Sequence, residues 1–167
     1  MPSFQKVYII MGVSGTGKST IGKLLSNTLE IPFFDGDDFH PKENIEKMEA
    51  GNPLNDDDRK GWLIKLNALA QEHKSTGAII ACSALKESYR DILLEGMENH
   101  LGFIHLEGTF ELIKSRLESR KGHFMPLALL QSQFNTLEAP TKAITISISN
   151  NPEDMVVEIL GQLKRRS

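Results

Sequence analysis

The run Gly12–Val13–Ser14–Gly15–Thr16–Gly17–Lys18–Ser19 constrains this chain more than any other stretch. It satisfies G-x-x-x-x-G-K-[ST] at every fixed position. The apolar Val7–Tyr8–Ile9–Ile10–Met11 precedes it and reads as a buried strand, and Thr20–Ile21–Gly22–Lys23–Leu24–Leu25 follows it as the opening of a helix. Strand, glycine loop and helix in that order make a phosphate cradle. The glycines let backbone N–H groups turn inward around phosphate oxygens. The helix points its positive end at the same anion. Lys18 has the reach for the β- and γ-phosphates, and the Ser19 hydroxyl suits Mg²⁺. Gly12, Val13, Ser14, Gly15, Thr16, Gly17, Lys18, Ser19 and Thr20 are therefore the candidate nucleotide contacts, and the chain is expected to bind a nucleoside triphosphate.

A length of 167 residues predicts one domain, 1–167, with a sizeable core. The net charge of -3 argues against a broad nucleic-acid or membrane surface, so any basic cluster has a local purpose. The single cysteine, Cys82, excludes an internal disulfide, sits in an apolar run and fits a reducing, cytoplasmic setting. Residues 1–6 lack the apolar core of a signal peptide, and no run approaches the roughly 20 apolar residues of a membrane span.

Along the chain, strands are expected at about 6–11, 31–35, 78–82, 101–106 and 143–148. Helices are expected after the glycine loop to about Leu29, from Pro41 to about Met48, behind the acidic cap Asn55–Asp56–Asp57–Asp58, at about 86–97, 110–120 and 127–137, and from Pro152 to the basic Lys164–Arg165–Arg166. Trp62, Leu63, Leu66, Leu69 and Ala70 have the spacing of one buried helix face. Five short strands alternating with helices predict an α/β fold, a parallel sheet covered on both faces, with ligands at the carboxyl ends of its strands.

The residues just after the strands therefore matter most. Asp35 and Asp37 are two apart, which puts both on one side of an extended segment. Two acids beside a triphosphate suit two tasks: Asp35 is expected on the metal side with Ser19, and Asp37 is expected to orient or deprotonate an attacking hydroxyl. Arg59, at a helix start, suits a bidentate grip on a substrate carboxylate or an ion pair with Asp35 or a neighbouring aspartate. Lys86 and Arg90 are four apart, on one face of a helix, and could hold an anionic substrate. Arg116, Arg120, Lys121 and His123 gather at a helix end and the loop after it, about 120–126, which reads as a basic lid over the phosphates. A regulatory GTPase would need an Asn-Lys-x-Asp motif, which the chain lacks. Asp58–Arg59–Lys60–Gly61 fits D-x-x-G, but follows no apolar strand.

In order and at matching spacing, the glycine loop, Asp35–Gly36–Asp37 with His40–Pro41, Asn44–Ile45–Glu46–Lys47–Met48, Pro53–Leu54–Asn55–Asp56–Asp57–Asp58–Arg59, Cys82–Ser83–Ala84–Leu85–Lys86 with Tyr89–Arg90, and Arg120–Lys121–Gly122–His123–Phe124 resemble the gluconate kinases. The resemblance runs from about residue 6 to about 137. It implies ATP- and Mg²⁺-dependent phosphorylation of D-gluconate at its 6-hydroxyl, with other small-molecule kinases, shikimate kinase among them, as the alternative. It also implies a fold shared with shikimate kinase, strand order 2-3-1-4-5 with a lid, a helical substrate-binding part at about 38–75, and a homodimer. His40 joins Asp35, Asp37, Arg59, Lys86 and Arg90 as a substrate contact. By similarity with that wider group, Arg116 stacks on adenine and Arg120 reaches the phosphates. Ser149–Asn150–Asn151–Pro152 resembles an adenine-contacting loop.

Overall fold

A computed structural model describes residues 7–119 and 127–166. Among these, five strands form one parallel sheet: β1 (Val7–Met11), β2 (Phe33–Asp35), β3 (Ala78–Ala81), β4 (Leu101–Glu107) and β5 (Ile144–Ser147). Their order is β2-β3-β1-β4-β5. In register, Ile9 faces Ile80 on one side and Phe103 on the other. The helices are α1 (Lys18–Leu29), α2 (Lys42–Glu49), α3 (Asp56–Glu72), α4 (Glu87–Leu94), α5 (Phe110–Ser119), α6 (Leu127–Thr136) and α7 (Pro152–Arg166). The α/β class and strand order are those expected. No helix among the described residues is long and apolar enough to cross a membrane.

The central strand explains the layering. Every residue of β1 is buried, and successive side chains enter opposite layers. Tyr8 and Ile10 join Ile21 and Leu25 of α1 and Ile159 of α7 on one face. Val7, Ile9 and Met11 join Trp62, Leu63 and Leu66 of α3 and Leu93 of α4 on the other. The face foreseen for α3 is buried at all five positions. A capping box starts that helix: Asn55 Oδ1 accepts from the Asp58 N–H at 2.8 Å, and Asp58 Oδ2 accepts from the Asn55 N–H at 2.9 Å. Lys47 of α2 reaches the same Asp58 oxygen at 2.6 Å, which ties α2 to the start of α3.

One local expectation needs correcting. Asp35 ends β2, but the chain does not stay extended through Asp37. It turns into a short 3₁₀ segment, Gly36–Phe39, and Asp35 caps it by accepting from the Asp37 N–H at 3.0 Å. The two acids are neighbours because of this cap and not because of strand alternation. The turn fits only with glycine first: a Cβ on Gly36 would lie 2.4 Å from the Ala81 carbonyl oxygen on β3. Gly36→Ala is therefore expected to lower stability by about 1–3 kcal/mol. In the same urea titration Gly61→Ala, on the open side of α3 where nothing lies within 4 Å, should raise it by roughly 0.5–1 kcal/mol. Equal effects of the two variants would contradict the close approach at Gly36.

Candidate active site

The carboxyl ends of β1, β2 and β3 bring the candidate residues to one edge. After β1 the chain bends with Gly12, Gly15 and Gly17 at φ of 146°, 85° and 91°, a left-handed series that side chains would strain. The loop is braced from within: the Thr16 hydroxyl donates to the Val13 carbonyl at 2.9 Å, and the Gly12 N–H donates to Ser83 O at 3.2 Å. Lys18 Nζ donates to the carbonyls of Gly12 and Val13, both at 3.0 Å, so its ammonium lies over the loop. Ser19 and Thr20 lie in the first turn of α1, its positive end.

The acidic turn meets this loop. Ser19 Oγ donates to Asp35 Oδ2 at 3.4 Å. A hydroxyl and a carboxylate so placed are hard oxygen donors suited to Mg²⁺ beside phosphates. Asp37 stands exposed in the cleft, yet the protein around it removes enough water to push its carboxyl above the ordinary carboxylate range. The like charge of Asp35 adds to that rise, while His40 and Lys18 oppose it.

His40 stacks on Trp62, ring centres 4.2 Å apart, and its side chain is only 7% exposed. Burial lowers its pKa, against the pull of Asp37, so at neutral pH the ring is uncharged. The Asn44 amide nitrogen lies 3.3 Å from Nδ1. An amide nitrogen only donates, so Nδ1 accepts and Nε2 carries the proton. That N–H faces Asp37 Oδ1 across 3.8 Å, too far for a direct bond.

Beyond His40 comes a cationic wall. Arg59 Nη1 donates to the Tyr89 hydroxyl at 3.1 Å. Tyr89 donates in turn to Asp56 Oδ1 at 2.5 Å, and Lys86 Nζ holds both Asp56 oxygens at 3.0 and 3.2 Å. The Tyr89 bond first, then Lys86, holds the Asp56 carboxyl below its usual range. The hydrogen bond of Arg59 goes to this phenol, while its charge acts through space on the neighbouring Asp56 and Asp58. The shared basic face expected of Lys86 and Arg90 is corrected. Lys86 caps α4 from outside the helix, whereas Arg90 turns inward, 7% exposed, and donates to the carbonyls of Ala84 at 2.7 Å and Glu138 at 2.8 Å. Arg90 thus holds the main chain after β3, where Ala84 sits at φ 47°. Arg116, on α5, donates to the Ile148 carbonyl at the end of β5, next to Ser149–Asn150–Asn151. Arg120, Lys121, His123 and the 120–126 loop lie outside the described residues.

Residues 14–159 match the shikimate kinase family model. The chain is 46% identical to the thermoresistant gluconokinase of Escherichia coli strain K12, over 95% of this chain and 94% of that protein. It is 49% identical to the thermosensitive gluconokinase of the same organism, over 80% of this chain and 72% of that one. A solved gluconokinase from Sinorhizobium meliloti 1021 superposes with a TM-score of 0.86 at 40% identity, covering 98% and 94% of the two chains. The chain belongs to the gluconokinase family.

Sequence reading missed two parts of this family member's site. Trp62 was expected only as core, yet its indole N–H donates to the Gly36 carbonyl at 2.7 Å and its ring carries His40. Gln133, on α6, bonds the glycine loop at Ser14. The first had a signal in Trp62 lying three residues from Arg59 on one helix; the second, 119 residues from its partner, had none. The electrostatics yield a direct check. In a carboxyl-detected NMR titration Asp37 should titrate above the ordinary aspartate range and Asp56 and Asp58 below it. Asp35→Asn should bring Asp37 down, because a repelling charge is gone. An Asp37 that titrates with Asp56 would refute the shielding described for the cleft.

Proposed function

We propose that this chain transfers the γ-phosphoryl group of ATP to the 6-hydroxyl of D-gluconate, giving 6-phospho-D-gluconate and ADP. The observation that carries the reading is the order of groups along one sheet edge: an anion-cradling loop, an acid pair against it, and a wall of cations beyond. The relatives' names supply gluconate as the acceptor.

The loop from Gly12 to Thr20 cradles the phosphates, and Lys18 moves from its two carbonyls onto the transferring group. Ser19 and Asp35 would hold Mg²⁺, which when bound neutralises phosphate charge. Arg116 flanks the adenine beside 148–151. Arg120 reaches the phosphates, a role that rests on the resemblance alone. Arg59, with Lys86 and Tyr89, grips the gluconate carboxylate, and His40 lines the passage between that end and Asp37. The 6-hydroxyl oxygen then attacks the γ-phosphorus, its proton passes to Asp37, and the bond to the bridging oxygen of ADP breaks. Arg90 is left out of the pocket, since its guanidinium is buried on main-chain carbonyls. A homodimer is part of the proposal on the resemblance alone, and a cytoplasmic setting on the unpaired, buried Cys82.

Asp37 must be ionised to take the proton, and its pKa is raised. Activity should therefore fall with acid along a limb lying above the ordinary carboxylate range. Asp35→Asn should move that limb to lower pH in the turnover that remains. Asp37→Asn should abolish the limb and cut kcat by ~10²–10⁴ with little change in the KM for ATP. If Asp35→Asn alone cut kcat this way, the two roles would be reversed.

Substrate choice tests the wall. In an ADP-release assay across gluconate, other aldonates, shikimate, glucose, sorbitol and AMP, gluconate should have the highest kcat/KM. Sorbitol should trail it, because its neutral end offers Arg59 no carboxylate to hold. Arg59→Ala should narrow the gap between the two. Sorbitol or AMP matching gluconate would overturn the carboxylate pocket while leaving a kinase.

A further inference from the structure

The outer rim of the glycine loop is held by two helices that sequence reading gave no part in it. A Cβ on Gly15 would meet Ile113 and Leu117 of α5 at 3.0 Å. Ser14 meets α6: its N–H donates to Gln133 Oε1 at 2.7 Å, and Gln133 Nε2 donates to its hydroxyl at 3.1 Å. One carboxamide thus makes a two-point clamp on the residue at the centre of the loop's rim. It ties the Ser14 amide to α6.

Five residues on, the same strand of chain grips the other half of the cleft. The Glu138 N–H donates to Leu85 O at 2.8 Å, its carboxylate accepts from the Glu87 N–H at 2.8 Å, and its carbonyl accepts from Arg90. Leu85, Glu87 and Arg90 bracket Lys86 and Tyr89 of the cationic wall. Residues 133–138 therefore join the phosphate loop to the acceptor wall through polar bonds at both ends. The Leu137 N–H, bonded to Gln133 O at 2.9 Å, keeps the piece between them short and stiff.

We infer that Gln133 is a positioning residue for phosphoryl transfer, fixing the glycine loop at the distance from the acceptor wall that the reaction needs. Both ends of the Gln133 carboxamide are taken up by Ser14. Gln133 acts through Ser14, and the brace through Glu138 and Arg90 carries the same constraint to the wall. In-line transfer is steep in geometry, and a misplacement of about 1 Å can cost on the order of 10²-fold in rate without loosening either substrate.

This inference rests on the kinase reading, so the test separates the two. Wild-type protein that turns over no acceptor would end that reading, whereas the Gln133 argument is read on turnover and binding together. Gln133→Met keeps volume and removes both bonds. Its kcat with gluconate should fall roughly 10- to 100-fold. The Kd for a non-hydrolysable ATP analogue and the KM for gluconate should stay within about threefold, with an unchanged binding stoichiometry. Ser14→Ala, which removes only the hydroxyl half of the clamp, should give a smaller loss of kcat, and no further loss in the Gln133→Met background. An unchanged kcat in Gln133→Met, a loss that appears in analogue affinity instead, or losses that add in the double variant would each overturn the inference. Should Gln133→Met fail to fold, Gln133→Asn, which withdraws the carboxamide by one methylene, decides it: a kcat equal to wild type overturns the inference, and a selective loss of kcat supports it.

Discussion

The bond from the Trp62 indole to the Gly36 carbonyl holds the acceptor side of this cleft together. Gly36 is wedged against β3 so tightly that even a methyl group would overlap the Ala81 carbonyl, and its own carbonyl must still find a donor away from water. Trp62 supplies that donor from α3 while its ring lies in the core. The same ring carries His40, and His40 in turn borders Asp37. The orientation of the acidic turn, the seat of the histidine and the angle of α3 are thus one packing problem. Arg59, three residues earlier on α3, takes its place from the same helix.

Electrostatics follow from that placement. Two carboxylates brought together next to an anion-binding loop would repel both each other and an incoming phosphate. Asp35 is relieved by the Asp37 N–H and by Ser19. Asp37 keeps its unfavourable surroundings, and its raised pKa is the result. A charged His40 at this point would lower Asp37 again and weaken it as a base. Burial against Trp62 lowers the pKa of the ring, so the packing that seats the histidine limits its opposition to the raised pKa of its neighbour.

The legible parts of this chain were the local ones. β1, the glycine loop and α1 are consecutive, so their motif carries its own geometry. The α3 face could be read because helical spacing survives in the sequence, and the strand order came with the family resemblance. The acid pair was placed side by side for a reason that does not hold: period two applies to a strand, and the chain leaves the strand at Gly36 because β3 approaches it too closely. Arg90 read as a solvated or ligand-binding cation because nothing nearby reveals the carbonyls of Ala84 and Glu138, one of them 48 residues away. Gln133 carries no charge and sits in no motif, so only the folded chain joins it to Ser14.

The wall also contains a rehearsal of its own ligand. Asp56 offers a carboxylate one helical turn from Arg59, and the protein holds it with an ammonium and a phenol. Burial keeps that phenol protonated, so Tyr89 donates to Asp56 while accepting from Arg59. The chain of donation runs from guanidinium to hydroxyl to carboxylate, and it orients Arg59 through a neutral partner. An ion pair with Asp35 or Asp56 would have drawn the guanidinium's charge onto a fixed anion. A phenol uses one of the guanidinium's five donors, and the neighbouring Asp56 and Asp58 meet its charge only through space. An incoming carboxylate then meets a cation preoriented by a neutral partner, which helps an acid-lined cleft to attract an anionic substrate.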